Sequence, residues 1–244
     1  MPVWSLEPWN RQERKPMRVI TDQHFIARKR RLAKYTSWAG LIVLTAGMVI
    51  NFSHPELFEL SLLCLVIGFG IASIGSYNMS RWVRPPRGDE VLEKALKNLG
   101  SKFALYNYVL PVPHVLLTPY GLYVLLVKKQ DGEITYRGNN KWRQKINLSR
   151  RLRLFFGAEQ PVGNPSSELA AEIETMRKIL SRALPDDEIE VRGAIVFINP
   201  EARLTLEADD MPVLRPRDLK KYLPEDQKGR DLLPREQIDR IVEV

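Results

Sequence analysis

The sequence predicts an α/β protein in which a hairpin of two membrane-spanning helices precedes an α/β domain with a central mixed sheet. Two observations support this prediction. Two long apolar runs dominate the first third of the 244-residue chain. After them, short strand-like segments alternate with amphipathic helical segments, which is the order typical of an α/β domain.

Both apolar runs are long enough to form helices that cross a bilayer. They cover residues 35–52 and 57–79 and include one charged residue, Glu59. A helix needs about 20 apolar residues to cross a hydrocarbon core of about 30 Å. The alternative is a pair of helices buried in a soluble core, and both runs being apolar on every face favours the membrane. The long polar stretch before residue 35 argues against a cleavable signal peptide.

Only residues 53–56 connect the two runs, so the sequence predicts a tight antiparallel hairpin. Basic residues flank its outer ends and are absent from the connection, which by the positive-inside rule places both termini in the cytoplasm. We therefore predict an integral membrane protein with two spans. We expect five basic residues to lie at the membrane surface near anionic headgroups: Arg28, Lys29, Arg30, Arg31 and Lys34.

The domain boundaries follow from these segments. Residues 1–34 form a basic cytoplasmic arm, 35–79 the hairpin, 80–87 a proline-containing linker and 88–244 a cytoplasmic domain. Because the net charge of +8 is partly explained by membrane anchoring, it is weak evidence for nucleic-acid binding. The single cysteine, Cys64, excludes disulfides and paired-cysteine zinc sites within one chain.

Small residues recur along both apolar runs: Ala39-Gly40, Ala46-Gly47, Gly68, Gly70, Ala72 and Gly75. They allow close approach of the two helices, or of a membrane-protein partner that docks against the hairpin. The lipid bilayer itself is the other partner that the sequence predicts.

The soluble part opens with an amphipathic helix at Gly88, and three short strands are expected within residues 102–110, 114–117 and 122–128. Asp131-Gly132 indicates a further hairpin. Asn164 is placed to cap a long helix that has Pro165 at its first position. A core strand is expected within residues 189–200, then a strand, a loop, a second strand and a short helix within residues 204–223, and a C-terminal helix started by Pro234.

This ordered series of motifs resembles the nuclease-related domain (NERD) family, which has the restriction-endonuclease-like PD-(D/E)xK fold. The matching residues run from Gly88-Asp89 through Leu110-Pro111, His114, the turn at Pro119 and Gly121, and Lys128, to Asn164-Pro165. Glu168 stands where the family usually has a glutamine. The resemblance covers about two thirds of the chain and implies Mg²⁺-dependent cleavage of nucleic acids.

The departures from the family pattern fall on its metal ligands. By the resemblance, Pro113 stands at the aspartate position and Leu126 at the glutamate position, and neither side chain can coordinate a hard cation. Three motif residues are retained: Lys128, His114 and Asp89. We therefore expect a degenerate active site with no confident catalytic residue, no metal and no cofactor, and with His114 packed in the fold.

The alternative is a Mg²⁺-dependent nuclease with relocated carboxylates. The residues considered for that role are Asp89, Glu90 and Glu93 on the first helix and Asp131 and Glu133 after Lys128. A second chain could also supply the missing acids.

A basic segment over residues 140–156 is a candidate for binding nucleic acid or lipid. Trp142, Phe155 and Phe156 are interleaved with six basic residues: Lys141, Arg143, Lys145, Arg150, Arg151 and Arg153. Arginines neutralise phosphates and aromatic rings stack on bases. The competing interpretations are a contact with membrane or protein and a solvated charged face.

The sequence thus favours a membrane-anchored, catalytically inactive nuclease-related domain that acts as a binding or scaffold module at the cytoplasmic membrane face, as a subunit of a membrane complex. The alternatives are the metal-dependent nuclease and a nucleic-acid binder that does not cleave. Nucleic acid is not the favoured partner.

Overall fold

The computed structural model of the protein describes residues 16–145, 148–155, 160–187 and 189–243. Its helices are α1 (Gln23–Ser53), α2 (Phe58–Trp82), α3 (Gly88–Leu96), α4 (Leu148–Phe155), α5 (Pro165–Ala183), α6 (Leu219–Asp226) and α7 (Arg235–Glu243). Its strands are β1 (Arg18–Thr21), β2 (Ala104–Asn107), β3 (His114–Thr118), β4 (Gly121–Lys128), β5 (Gly132–Tyr136), β6 (Trp142–Gln144), β7 (Val191–Phe197), β8 (Ala202–Leu206) and β9 (Val213–Leu214).

Helices α1 and α2 form the predicted hairpin. Helix α1 begins after Asp22, whose Oδ1 accepts a hydrogen bond from Phe25 N at 2.8 Å, and it runs from the basic segment into the first apolar run without a break. Both helices are long and apolar enough to cross a membrane. Their apolar side chains are mostly exposed, unlike those of helices inside a soluble core.

Small residues bring the two helices into backbone contact. A Cβ added to Gly40 would lie 2.5 Å from Ala72 N, and one added to Gly75 would lie 2.6 Å from Ser37 N. Ser61 Oγ donates to the Gly47 carbonyl at 2.8 Å. At these positions the small residues therefore serve packing within the hairpin.

The domain is built on a six-stranded mixed sheet in the order β1-β2-β3-β4-β7-β9. The β2-β3-β4 pairs are antiparallel, whereas β1-β2, β4-β7 and β7-β9 are parallel. Helix α5 covers one face and α3 with α6 the other, so apolar clusters lie on both sides. A smaller sheet in the order β6-β5-β8 lies beside it. The predicted α/β class with a mixed central sheet is confirmed.

Strand β1 was not predicted, because residues 18–21 were expected to belong to the N-terminal arm. It pairs in parallel with β2 at the sheet edge, with Arg18 opposite Ala104. Asn107 Nδ2 also donates to Thr21 Oγ1 at 3.2 Å. A four-residue strand is too short to show a hydrophobic period, and its partner lies far away in sequence. As a result, α1 leaves directly from the edge of the sheet. The first 15 residues of the predicted arm lie outside the described residues.

The end of α2 and the segment after it are held against the domain. Lys129 Nζ donates to the carbonyls of Ser80 and Arg81, each at 3.1 Å, and to that of Arg84 at 3.4 Å. Burial lowers the pKa of Lys129 to about 8. Arg30 Nε donates to the Trp82 carbonyl at 3.2 Å. The predicted linker is thus fixed by hydrogen bonds to a lysine of the domain.

Candidate functional site

A cavity of about 210 Å³ lies where the last turn of α2 meets the end of β4. Its walls come from both parts of the molecule, since Tyr77, Ser80 and Arg81 belong to α2 whereas the other lining residues belong to the domain. Polar and charged side chains from the domain include His114, Lys128, Lys129, Glu168 and Glu172. The cavity therefore lies at the border between the apolar hairpin and the α/β domain.

Lys128, the last residue of β4, is buried and forms an ion pair at the cavity. Its Nζ donates to both carboxylate oxygens of Glu168 at 2.7 Å and to the Val162 carbonyl at 3.3 Å. Glu168 lies in the first turn of α5, which Asn164 caps as predicted by accepting from Ser167 N. Two residues 40 positions apart are thus joined in one charge-assisted pair.

Glu172 lies one helical turn after Glu168 on α5 and also lines the cavity. Burial and the neighbouring Glu168 carboxylate raise the pKa of Glu172 to about 7, although Lys128 and Arg81 act in the opposite direction. Glu172 was not predicted as a site residue from the sequence. The i,i+4 spacing of two glutamates beside the apolar stripe of α5 was the available signal.

Replacing Glu172 with glutamine should change how stability depends on pH. The folded-state pKa is raised, so the unfolded chain releases this proton first and the native protein loses stability as the pH rises from about 4.5 towards 7. Glu172→Gln carries no such proton. Melting temperatures of both proteins from pH 5 to 8 should show the variant gaining relative to the native protein as the pH rises. A constant difference across this range would contradict the assignment.

His114 is packed in the fold, as the sequence predicts. Its Nδ1 donates to Asn107 Oδ1 at 2.8 Å, and its ring lies against Tyr108 with centroids 4.9 Å apart. Burial, with a smaller effect from Arg81, lowers the pKa of His114 to about 3, so the ring is neutral at pH 7. A Cβ on Gly88 would lie 3.0 Å from His114 Nε2, which explains the glycine at the start of α3.

Three of the five acids considered as relocated ligands, Asp89, Glu90 and Glu133, form ion pairs with basic side chains. Arg87 pairs with the buried carboxylate of Asp89 and with Glu90 at 2.7 Å. Glu133 pairs with Lys145 at 3.1 Å. The carboxylate that pairs with Lys128 belongs instead to Glu168. In the sequence, Glu168 was noted only because it replaces the glutamine usual in the family.

Pro113 and Leu126 both line the cavity beside Lys128. The resemblance expects metal-binding carboxylates at these positions, but neither side chain offers an oxygen, and Mg²⁺ prefers oxygen ligands. Within the described residues, no three acidic, histidine or cysteine side chains cluster in a way that could hold a metal ion. The two positions at which the resemblance expects metal-binding carboxylates therefore offer no oxygen ligand from their side chains.

The basic segment is divided between two elements. Lys141, Arg143 and Lys145 are exposed on and beside β6. The half-buried Trp142 ring stacks on Tyr136 with centroids 4.5 Å apart, and its Nε1 donates to Ser166 Oγ at 2.7 Å, so this ring is packed against the domain. Arg151 is exposed on α4. The side chains of Arg150 and Arg153, and all of Phe156, lie outside the described residues.

The basic residues at the start of α1 have different environments. Arg28, Arg31 and Lys34 are exposed. Lys29 lies over the Phe25 ring, with its Nζ 5.3 Å from the centroid, and Arg30 holds the end of α2. Of these five basic residues, only Arg28, Arg31 and Lys34 are therefore exposed.

Comparison with known proteins supports the assignment of the domain. Residues 86–198 match the family model described as nuclease-related domain, NERD. Searches among curated proteins and among solved structures found no match. The matched range begins just before α3 and ends just after β7, so it includes Lys128, Glu168 and most of the central sheet. Residues 86–198 of this chain, which follow the two apolar helices, thus carry the nuclease-related domain.

Proposed function

We propose that the protein is a membrane-anchored nuclease-related domain that does not cleave nucleic acids and acts as a binding or scaffold module at the cytoplasmic membrane face. The observation that carries this proposal is the ion pair between Lys128 and Glu168. It occupies the lysine that the family would use in catalysis, at a cavity where Pro113 and Leu126 replace carboxylates. We further propose that the protein is one subunit of a membrane complex.

The anchoring part of the proposal is supported by the hairpin. Its two helices have the length and hydropathy of membrane spans, and their exposed residues include Trp38, Leu41, Val66 and Ile74. Exposing so much apolar surface to water is costly, whereas lipid accommodates it. Basic residues at both outer ends favour the cytoplasm for both termini.

The non-cleaving part is supported by the chemistry of the cavity. Phosphodiester cleavage by this family requires a metal that stabilises charge on the phosphate, which depends on carboxylate ligands. A lysine bound by a carboxylate at two equal distances is engaged as an ion-pair donor. The same cavity, lined from both the hairpin and the domain, is suited to recognition of a polar group at the membrane border.

A cleavage assay tests the proposal. The full chain in detergent micelles, incubated with DNA and RNA in Mg²⁺ or Mn²⁺, should cleave neither above the level of a Lys128→Met variant prepared in the same way. Cleavage by the native protein that the Lys128→Met substitution abolishes would refute the non-cleaving assignment. The variant controls for contaminating nucleases, because both preparations carry the same background.

The second candidate function is a nuclease with relocated carboxylates, now centred on Glu168 and Glu172. The specific observation in its favour is that both line the cavity that contains Lys128. The same assay distinguishes it, since cleavage would then be lost in Glu168→Gln and Glu172→Gln as well as in Lys128→Met. Activity that survives both glutamine substitutions would exclude this candidate.

A further inference from the structure

Helix α4 lies outside the cavity and has a composition unlike that of the other short helices. Its eight residues, Leu148–Phe155, include three arginines, three leucines and a phenylalanine. We propose that α4 is an interfacial helix that inserts apolar side chains into the cytoplasmic leaflet, with an anionic lipid surface as its partner. This inference rests on the proposed membrane anchoring and adds a contact beyond the two spans.

The depth of α4 follows from one ring contact. Phe155 lies against Phe69 of α2, with ring centroids 5.4 Å apart. Phe69 is eight residues from Tyr77, so it lies about 12 Å along the helix axis from the polar end of the span. When α2 spans a bilayer, the Phe155 ring is therefore at the level of the acyl chains. Interfacial amphipathic helices bury their apolar face by roughly 5–10 Å, so Phe155, at the C-terminal end of α4, is the deepest residue of this helix and lies below the usual depth.

The side chains at this end of α4 suit lipid rather than water. Leu152 is 53% exposed and Phe155 67% exposed, which makes them large apolar groups facing away from the domain core. Phe155 meets the hairpin on α2, at a residue whose neighbours Leu65 and Val66 are themselves exposed. The apolar surface of α4 thus continues the surface that the hairpin presents to lipid.

The charges select anionic headgroups. Residues 141–155 contain six basic residues and no acidic residue. Basic residues beside a membrane span are attracted to the negative surface of the cytoplasmic leaflet. Arg151 is exposed on α4, within reach of headgroups when Phe155 lies among the acyl chains, since long basic side chains extend towards the interface.

The same contacts argue against nucleic acid as the partner. Stacking on bases requires accessible aromatic rings. Trp142 is packed against Tyr136, and the Phe155 ring lies on the apolar hairpin, where a polyanion would have to enter the hydrocarbon. The arginines remain able to attract a polyanion electrostatically, so nucleic acid is one of the outcomes that the experiment must distinguish.

Spin labels on the full chain test the proposal. In a Cys64→Ala background, a nitroxide is attached at Leu152→Cys and the protein is reconstituted into vesicles of phosphatidylcholine and phosphatidylglycerol. Collision rates with oxygen and with a water-soluble nickel complex give the depth of the label. We expect an oxygen-to-nickel ratio several-fold higher at position 152 than at Leu232→Cys, a similarly exposed leucine of the domain at 62% exposure.

A third label separates failure of this inference from failure of the anchoring. Val66→Cys lies on the exposed side of α2. If label 66 reports lipid and label 152 reports water, α4 is not interfacial and the inference is overturned while the anchoring stands. If label 66 also reports water, the anchoring itself is wrong and the inference falls with it.

Two further spin-label experiments vary the charge of the lipid and add nucleic acid. Label 152 should become several-fold more accessible to nickel in vesicles of phosphatidylcholine alone, or when Arg150, Arg151 and Arg153 are all replaced by glutamine. Equal accessibility in both lipids would overturn the anionic partner. Duplex DNA added to the anionic vesicles should leave label 152 unchanged. Shielding of the label by DNA in place of lipid would identify nucleic acid as the partner and refute the proposal.

Discussion

Glu168→Ala is expected to lower the free energy of unfolding by about 2 kcal/mol, whereas Lys128→Met should cost less than about 1 kcal/mol. The difference arises from burial, because the Lys128 side chain is 8% exposed and the Glu168 side chain 47% exposed. Removing the glutamate leaves a buried ammonium group with the Val162 carbonyl at 3.3 Å. Removing the lysine leaves a carboxylate that water can solvate.

The double variant Glu168→Ala, Lys128→Met provides the control. It should be more stable than Glu168→Ala alone, because the unpaired buried charge is gone. Chemical unfolding of all four proteins in the same detergent gives the comparison. If the two single substitutions cost equal amounts and add in the double variant, the pair would not be coupled.

Gly40→Ala and Gly75→Ala should each destabilise the helical hairpin by about 2 kcal/mol. The added methyl groups would meet backbone atoms of the opposite helix at 2.5 and 2.6 Å, and backbone cannot move aside as the end of a flexible side chain can. The helices would have to separate, losing the contacts that hold them. Thermal unfolding in detergent, followed by helical circular dichroism, measures the effect.

Gly70→Ala is the matched control, since a Cβ there would have no atom of the opposite helix within 4 Å. The same substitution at this position should be neutral or stabilise the helix by up to about 1 kcal/mol. Spin labels at the exposed positions Ile42 and Val66 should move apart in Gly40→Ala and keep their distance in Gly70→Ala. Equal effects at the three glycines would show that close packing does not hold the hairpin.

The candidate site could be predicted from the sequence only in part. Lys128, His114 and Pro113 come together because they lie on one hairpin of neighbouring strands, and such local geometry is encoded by turn and strand patterns. Glu168 and Glu172 reach the same cavity from a helix 40 or more positions away. The relocated acids considered first, Asp89 and Glu90, were reasonable by spacing but are held by Arg87.

The basic segment over residues 140–156 could likewise be interpreted only in part from the sequence. Its charges and aromatic residues were evident from the sequence, and equally compatible with nucleic acid, lipid or water. The packing of Trp142 on Tyr136 and of Phe155 on Phe69 shows what these two rings contact within the protein. Residue type alone cannot supply that information.

By itself, the sequence predicted the apolar hairpin, most of the strands and helices of the α/β domain, and the helix cap at Asn164. These features depend on composition and on residues within a few positions of one another. Tertiary structure decided that β1 joins the sheet, that Glu168 binds Lys128, and that α4 contacts α2. Each of these contacts joins distant segments, and its energy depends on burial and geometry that exist only once the chain has folded.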